Sequence, residues 1–293
     1  MYGSMTKRAD AALIGAGPAG LAAAAYLARA GWKTVIIDKN SPGGTARQLE
    51  LIENYPGFPD GIPGKELMRR FVRQARRWGA RFVRARARGV RRRGSDFAVG
   101  TTAGNWECRA LLLCSGARFK DLGLANEKTL EGILHGAFDE APRLRGRDVA
   151  VAGGGEAAVH QALLLSRYAR EVTLICRGPA LKAMRRLQSA LLRRPNIRTL
   201  TRSVVAGLRG KKKLAAVLVR DLKTGKISRL KTSSLFVLIG KTPRTGLSLF
   251  RKKSPGFFSA GDIHSGRFRQ TAIAAGDGIR AAMACEKYLR GNR

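Results

Sequence analysis

A glycine-spaced hexapeptide, Gly15-Ala16-Gly17-Pro18-Ala19-Gly20, constrains this chain more than any other stretch. It follows the apolar residues 11–14 and opens an alanine-rich run over 21–30. In that setting Gly15 allows a tight strand-to-helix turn, Gly17 lets the backbone approach a pyrophosphate, and Gly20 lets helix and strand pack closely. The free amides and dipole of the helix N-terminus favour a diphosphate there. About twenty residues on, the apolar residues 34–37 end at Asp38, whose carboxylate is placed to accept hydrogen bonds from a ribose. The pattern predicts a βαβ unit that binds a dinucleotide.

A second unit of this kind begins at Asp148. Residues 149–152 read as a strand, Gly153-Gly154-Gly155-Glu156-Ala157-Ala158 as a GxGxxA turn, 159–168 as a helix and 172–176 as the next strand. Where the first unit has Asp38, this one has Cys176-Arg177, with Lys182 soon after. A carboxylate at that point bonds a free 2'-hydroxyl and repels a 2'-phosphate, and basic groups do the reverse. The first turn therefore suits FAD or NAD. The second favours NADPH over NADH, unless Arg177 and Lys182 are only surface charges.

At 293 residues the chain is long enough for two cored domains. Between the units, 64–78 reads as a helix with an apolar stripe of Leu67, Phe71, Val72 and Ala75, and 81–99 and 106–114 read as strands. Later, 196–231 reads as β segments joined by polar turns, 235–239 as a buried strand and 272–289 as a helix. Cys108, Cys114, Cys176 and Cys285 lie in apolar surroundings without a Cys-x-x-Cys or metal-ligand spacing, so buried thiols in a reducing compartment are expected, with no metal site. Residues 11–28 follow Lys7-Arg8 in the manner of a secretory signal, but the glycine spacing and Asp38 explain them better. A cytoplasmic protein with no membrane span is expected.

The charge is unusual: 56 Lys plus Arg against 20 Asp plus Glu gives +36. Part of it falls between Arg69 and Arg93, a run that would suit nucleic acid, an anionic membrane or an acidic protein. Basic residues nevertheless occur along the whole chain, and no nucleic-acid-binding motif is present. A uniformly basic, solvated surface is the expectation, with nucleic acid disfavoured as a partner.

Together these pieces resemble the thioredoxin reductase family of FAD and pyridine-nucleotide oxidoreductases. The motifs that carry the likeness run in order: Gly15 to Gly20, Glu53-Asn54-Tyr55-Pro56-Gly57, Ser115-Gly116, Gly153 to Ala158, Gly240-Lys241-Thr242-Pro243, Ala260-Gly261-Asp262 and Arg269-Gln270. The resemblance implies an α/β fold of two nested, three-layer, Rossmann-like domains: an FAD domain from residues 1–116 and 245–293, and an NAD(P)H domain from 117–244. It implies FAD contacts from Gly15, Gly17, Pro18, Ala19, Gly20, Asp38, Lys39, Gly44, Thr45, Ser115, Gly116 and Thr271. Asp262 would hold the ribityl chain, with Asn54, Arg269 and Gln270 near the isoalloxazine. NADPH contacts would come from Gly153, Gly155, Glu156, Ala157, Arg177, Lys182 and Gly240. The implied chemistry is hydride transfer from nicotinamide to flavin in a homodimer.

The departures matter as much. In disulfide-reducing members a Cys-x-x-Cys precedes the second nucleotide strand, and the corresponding residues here are Gly136-Ala137-Phe138-Asp139. Without that dithiol, electrons cannot leave through a mixed disulfide on this chain, which argues against thioredoxin reduction by that route. Asp139 takes the second cysteine's place and Glu140 that of the acid after it. Either these carboxylates exchange protons beside the flavin or they are hinge charges. Ala157 replaces a serine and Gly178 a second arginine of the NADPH motif, and residues 244–255 are short for the family, which implies a trimmed hairpin. The expectation is an NAD(P)H-dependent FAD oxidoreductase serving an external acceptor: an acidic redox protein such as a ferredoxin or flavodoxin, a small disulfide, or a quinone-like molecule. Ferredoxin-reducing relatives usually carry a C-terminal extension over the flavin, and the chain here stops soon after Leu289. The alternative is a catalytically silent FAD-binding scaffold or sensor module.

Overall fold

The apolar residues 11–14 belong to a longer strand, β1 (Lys7–Ile14), in a computed structural model that describes residues 6–136, 140–247, 254–263 and 268–292. The glycine turn leads into α1 (Pro18–Arg29), whose buried residues are all Ala, Leu or Gly, and the chain returns in β2 (Thr34–Asp38). After a 3-10 turn at Gly44–Gln48 come α2 (Gly64–Arg77), β3 (Arg81–Arg84), β4 (Ala87–Arg93), β5 (Asp96–Thr101) and β6 (Gly104–Leu113). The chain then passes through β7 (Ala117–Phe119) to β8 (Ile133–Leu134), β9 (Asp148–Ala152), α3 (Glu156–Leu165) and β10 (Glu171–Ile175). Next are α4 (Arg185–Leu192), β11 (Ile197–Leu200), β12 (Ser203–Arg209), β13 (Ala216–Asp221), β14 (Ile227–Lys231) and β15 (Ser234–Val237). It returns by β16 (Lys241–Pro243), which pairs with β7, to β17 (Phe257–Ser259) and α5 (Thr271–Gly291).

The chain divides into two compact units, Met1–Ala117 with Pro243–Arg293, and Arg118–Thr242. The first is built on a sheet of order β3-β2-β1-β6-β5-β4, with β17 also on β6. Strands β3, β2, β1, β6 and β17 run parallel, and β4 and β5 continue antiparallel from β6. The central strands are apolar on both faces, as a doubly covered parallel sheet requires. Leu13, Ile36 and Leu112 pack with Leu21, Leu67 and Leu289 of α1, α2 and α5; Ala12, Ile37 and Leu111 pack with Phe97 and Val99 of β5 and with Trp106 of β6. The arginines between 69 and 93 lie exposed on α2, β3, β4 and the link between the two strands.

The second unit repeats the scheme. Its parallel sheet has the order β11-β10-β9-β15-β8, and a separate antiparallel sheet runs β12-β13-β14. Val151, Leu174 and Phe236 pack with Val159 and Leu187 of α3 and α4, while Ala150, Ile175 and Leu235 pack with Val217 and Val219 of β13. Three details differ from the sequence pattern. Helix α3 starts inside the glycine turn, three residues before 159, and ends at Leu165, where the Asn196 side chain donates to the freed carbonyls of Ser166 (2.9 Å) and Ala169 (3.2 Å). Strand β11 edges the parallel sheet instead of joining the hairpins after it. Helix α4 escapes the pattern because its buried stripe is only Leu187 and Leu191 on a basic, polar segment.

Helices α1 and α5 cross with no spare room at Gly278, where a Cβ would fall 2.1 Å from the Ala19 carbonyl oxygen. Gly278→Ala should therefore destabilise the protein by about 2–3 kcal/mol, as overpacking does. The readout is a lower urea midpoint at unchanged m-value. A wild-type midpoint would show that the two helices do not approach this closely.

Candidate dinucleotide sites

The first glycine turn is closed on one side and open on the other. Gly15 has φ +109°, and a Cβ there would lie 2.3 Å from the Cys114 carbonyl oxygen; at Gly20 it would lie 1.9 Å from the Gly15 carbonyl oxygen. Gly17, in contrast, is extended (φ −78°, ψ −174°) with nothing within 4 Å of its Cβ position. It is the N-cap of α1, makes no side-chain cap, and is followed by Pro18. The helix thus begins with uncapped amides facing open space, the arrangement that receives a phosphate.

Other predicted residues gather at this turn. The Asp38 carboxylate accepts hydrogen bonds from the backbone N–H of Ala16 (2.7 Å) and Asn40 (2.9 Å), so it fixes the turn as well as offering oxygens outward. That first role is not visible in the sequence. Lys39 is exposed beside it. The Gly43 N–H donates to the Ala16 carbonyl (2.7 Å), and the Cβ position of Gly44 is 3.1 Å from the Gly17 Cα, which brings Gly44 and Thr45 alongside. Asp262 lies in a 3-10 turn, Gly261–Ile263, whose Gly261 abuts the Ala19 side chain. Ser115 Oγ donates to the Arg244 carbonyl (2.7 Å), and the Gly116 carbonyl accepts from the Arg244 N–H (2.9 Å).

A second group of predicted residues forms at the start of α5. The Asn54 amide donates to Gln270 Oε1 at 3.2 Å, joining residues 216 apart in sequence. Gln270 is an extended N-cap without a side-chain cap bond, Thr271 is the first helical residue, and Arg269 is half-buried. The open Gly17, the uncapped start of α1 and the carboxylates of Asp38 and Asp262 fit the diphosphate and ribose of a dinucleotide.

The turn at Gly153 has the same form. A Cβ at Gly153 would lie 2.5 Å from the Leu238 carbonyl oxygen, and one at Gly154 2.3 Å from Cys176 Sγ. Gly155 is extended (φ −92°, ψ −179°), open, and the uncapped N-cap of α3, which begins with Glu156 and the exposed Ala157. The Lys182 N–H donates to the Gly154 carbonyl at 2.7 Å, folding the segment that carries the exposed Arg177 back onto the turn. Gly240, at φ +115°, accepts from the Lys120 N–H. The uncapped helix start, the open Gly155 and the nearby cations fit a phosphorylated dinucleotide.

Of the two carboxylates proposed to carry protons, Asp139 lies outside the described residues, as do residues 248–253 of the shortened stretch. Glu140 is half-buried and pairs with Arg143 at 3.4 Å. All four cysteines are free and buried. Burial pushes the Cys108 and Cys114 thiols up to about 12 and raises Cys285 as well. Among the described residues no cluster of His, Cys, Asp and Glu is placed to hold a metal, and no helix is long and apolar enough to cross a membrane.

Comparison with known proteins agrees with these features. The pyridine nucleotide-disulphide oxidoreductase family profile matches residues 9–278. The thioredoxin reductase of Treponema pallidum (strain Nichols) is 32% identical over 297 residues, covering 96% of this chain and 97% of that protein. That of Streptomyces coelicolor is 35% identical over 298 residues, covering 94% and 92%. Among solved structures, Lactococcus lactis thioredoxin reductase superposes with a TM-score of 0.92 at 27% identity, covering 97% of this chain and 99% of that one. The T. acidophilum enzyme gives 0.89 at 28%, covering 98% and 100%. The chain belongs to the pyridine nucleotide-disulphide oxidoreductase family, among its thioredoxin reductase-like flavoproteins. Members of the thioredoxin reductase family use FAD and NADPH.

Two outcomes follow. Asp38→Ala removes the acceptor of two backbone hydrogen bonds and should destabilise even the flavin-free protein by about 1–3 kcal/mol in urea unfolding; an unchanged midpoint would confine Asp38 to ligand contact. The native protein keeps its buried thiol protons while the unfolded chain releases them above about pH 8.5. This contribution to stability is therefore complete below that pH and is lost as pH climbs toward 12. Thermal melts from pH 8 to 11 should fall more steeply for wild type than for a Cys108→Ala/Cys114→Ala variant.

Proposed function

We propose that this chain is an NAD(P)H-dependent FAD oxidoreductase that delivers electrons to an acceptor outside itself. The observation that carries the reading is the pair of glycine turns, each with an open glycine at an uncapped helix start, one flanked by Asp38 and the other by Arg177 and Lys182. The first turn holds the FAD diphosphate on the α1 amides, with Asp38 on its ribose and Asp262 on the ribityl chain. The Asn54–Gln270 pair, Arg269 and Thr271 orient the isoalloxazine. The second turn holds NADPH through Gly153, Gly155, Glu156, Ala157 and Gly240, with Arg177 and Lys182 on the 2'-phosphate. FAD, when bound, supplies a two-electron relay between nicotinamide and acceptor. NADPH leaves as NADP⁺ after giving up a hydride, and the acceptor receives two electrons, joined by two protons if it is a disulfide. Asp139 and Glu140 are the carboxylates assigned to move those protons.

The sequence lacks a Cys-x-x-Cys, and its four thiols are buried; a thiol shut away from solvent is poorly placed for disulfide exchange. Both facts support an external acceptor over thioredoxin reduction through a dithiol on this chain. The net charge of +36 favours an acidic redox protein, because opposite charge speeds encounter. A small disulfide is the second candidate. Free thiols fit a reducing cytoplasm, and the family resemblance suggests a homodimer.

Anaerobic mixing of the flavin-loaded protein with NADPH should bleach the flavin absorbance, and NADH should do so more weakly. Bleaching by neither nucleotide would leave the scaffold reading. Thioredoxin reduction at rates ordinary for the family would place an active dithiol where the sequence has none.

A further inference from the structure

Just past the carboxyl ends of β10 and β11, the backbone does something costly. Arg202, between β11 and β12, has φ +47° and is the one described non-glycine residue in the left-handed region. Glycine or asparagine adopts that conformation with little strain, whereas a long side chain does so at a cost. Its neighbours make the placement firm. The Cys176 N–H donates to the Leu200 carbonyl (2.8 Å), the Ser203 N–H to the Cys176 carbonyl (2.9 Å), and the Arg202 N–H to the Gly178 carbonyl (2.8 Å). Arg202 is therefore clamped beside Arg177-Gly178, in the segment that Lys182 ties to the second glycine turn.

The backbone of this residue is bonded on both sides, since its carbonyl also accepts from the Leu222 N–H (2.7 Å), but its side chain takes no part in that turn. The Arg202 side chain is exposed and makes no ion pair or hydrogen bond among the described residues, and the same is true of the side chains of Arg177 and Lys182. The acid closest along the pairing, Asp221, sits opposite Ser203, and its carboxylate is engaged by the turn amides of Lys223 and Thr224. Backbone bonds thus gather three exposed cations, none of them ion-paired among the described residues, just past the carboxyl ends of adjacent parallel strands, where doubly wound sheets bind ligands. Guanidinium groups match a phosphate dianion in both charge and geometry.

We propose that Arg202 is a specificity-determining residue for NADPH. It supplies to the 2'-phosphate the guanidinium that the chain lacks at Gly178, alongside Arg177 and Lys182. The inference rests on the second glycine turn being the NADPH site. Outlying backbone geometry at a binding loop is the form that such a device takes.

The test is calorimetric titration of purified, flavin-loaded protein with 2',5'-ADP and with 5'-ADP, which lacks the 2'-phosphate. Wild type should bind 2',5'-ADP more tightly, and Arg202→Ala should lose about tenfold in that affinity with little change for 5'-ADP, as expected for a charge-assisted phosphate contact. Arg202→Gly should show the same loss with an equal or higher melting temperature, since glycine relieves the strain. That opposition separates ligand binding from a structural role. Equal affinity of wild type and Arg202→Ala for 2',5'-ADP would overturn the assignment, as would an equal loss in Arg229→Ala, an exposed arginine on β14. A wild type that does not distinguish the two nucleotides would overturn the NADPH reading itself.

Discussion

Everything in this molecule depends on one close approach: backbone against backbone at Gly15 and Gly20, where neither position has room for a Cβ. That contact fixes the start of α1 against the end of β1 and leaves Gly17 facing outward. Once it is made, Asp38 bonds the turn from β2, Gly43 and Gly44 bring in the following loop, and Gly261 and Gly278 lay the C-terminal segment along Ala19. Glycines at these contacts are requirements of distance. The second unit reaches the same end at Gly153 and Gly154, with Leu238 and Cys176 as the opposing surfaces.

The two turns are nearly the same object, and what surrounds them sets them apart. A carboxylate with two backbone donors flanks one, and exposed cations with no ion pair among the described residues flank the other. The proposed assignment of FAD to the first turn and NADPH to the second rests on that electrostatic difference. The cysteines follow a similar logic of environment. Cys114 sits against the first turn and Cys176 against the second, both as small buried groups, and burial holds Cys114 protonated. Their places in the fold are those of packing residues.

The turns and the apolar strands around them were legible in the sequence because glycine spacing and a doubly buried parallel sheet leave strong local patterns. The start of α3 was not, since Glu156-Ala157-Ala158 serves both the GxGxxA motif and the first helical turn. Neither was α4, whose two buried leucines are too few to set a period, nor the membership of β11, which depends on a partner strand. At the candidate sites, the hydrogen bond between Asn54 and Gln270 joins residues too distant for spacing to reveal. The structural role of Asp38 is a matter of geometry that residue type does not carry. Arg202 was missed for the plainest reason: a backbone dihedral has no signature in a basic sequence, where one arginine looks like the next.

The central claim is that flavin is the sole redox centre this chain brings to its chemistry. Anaerobic reductive titration of the flavin-loaded protein with dithionite counts the electrons directly. The account predicts an endpoint at two electrons per FAD, with no further uptake. An endpoint at four electrons per FAD would reveal a redox-active cysteine pair and contradict it.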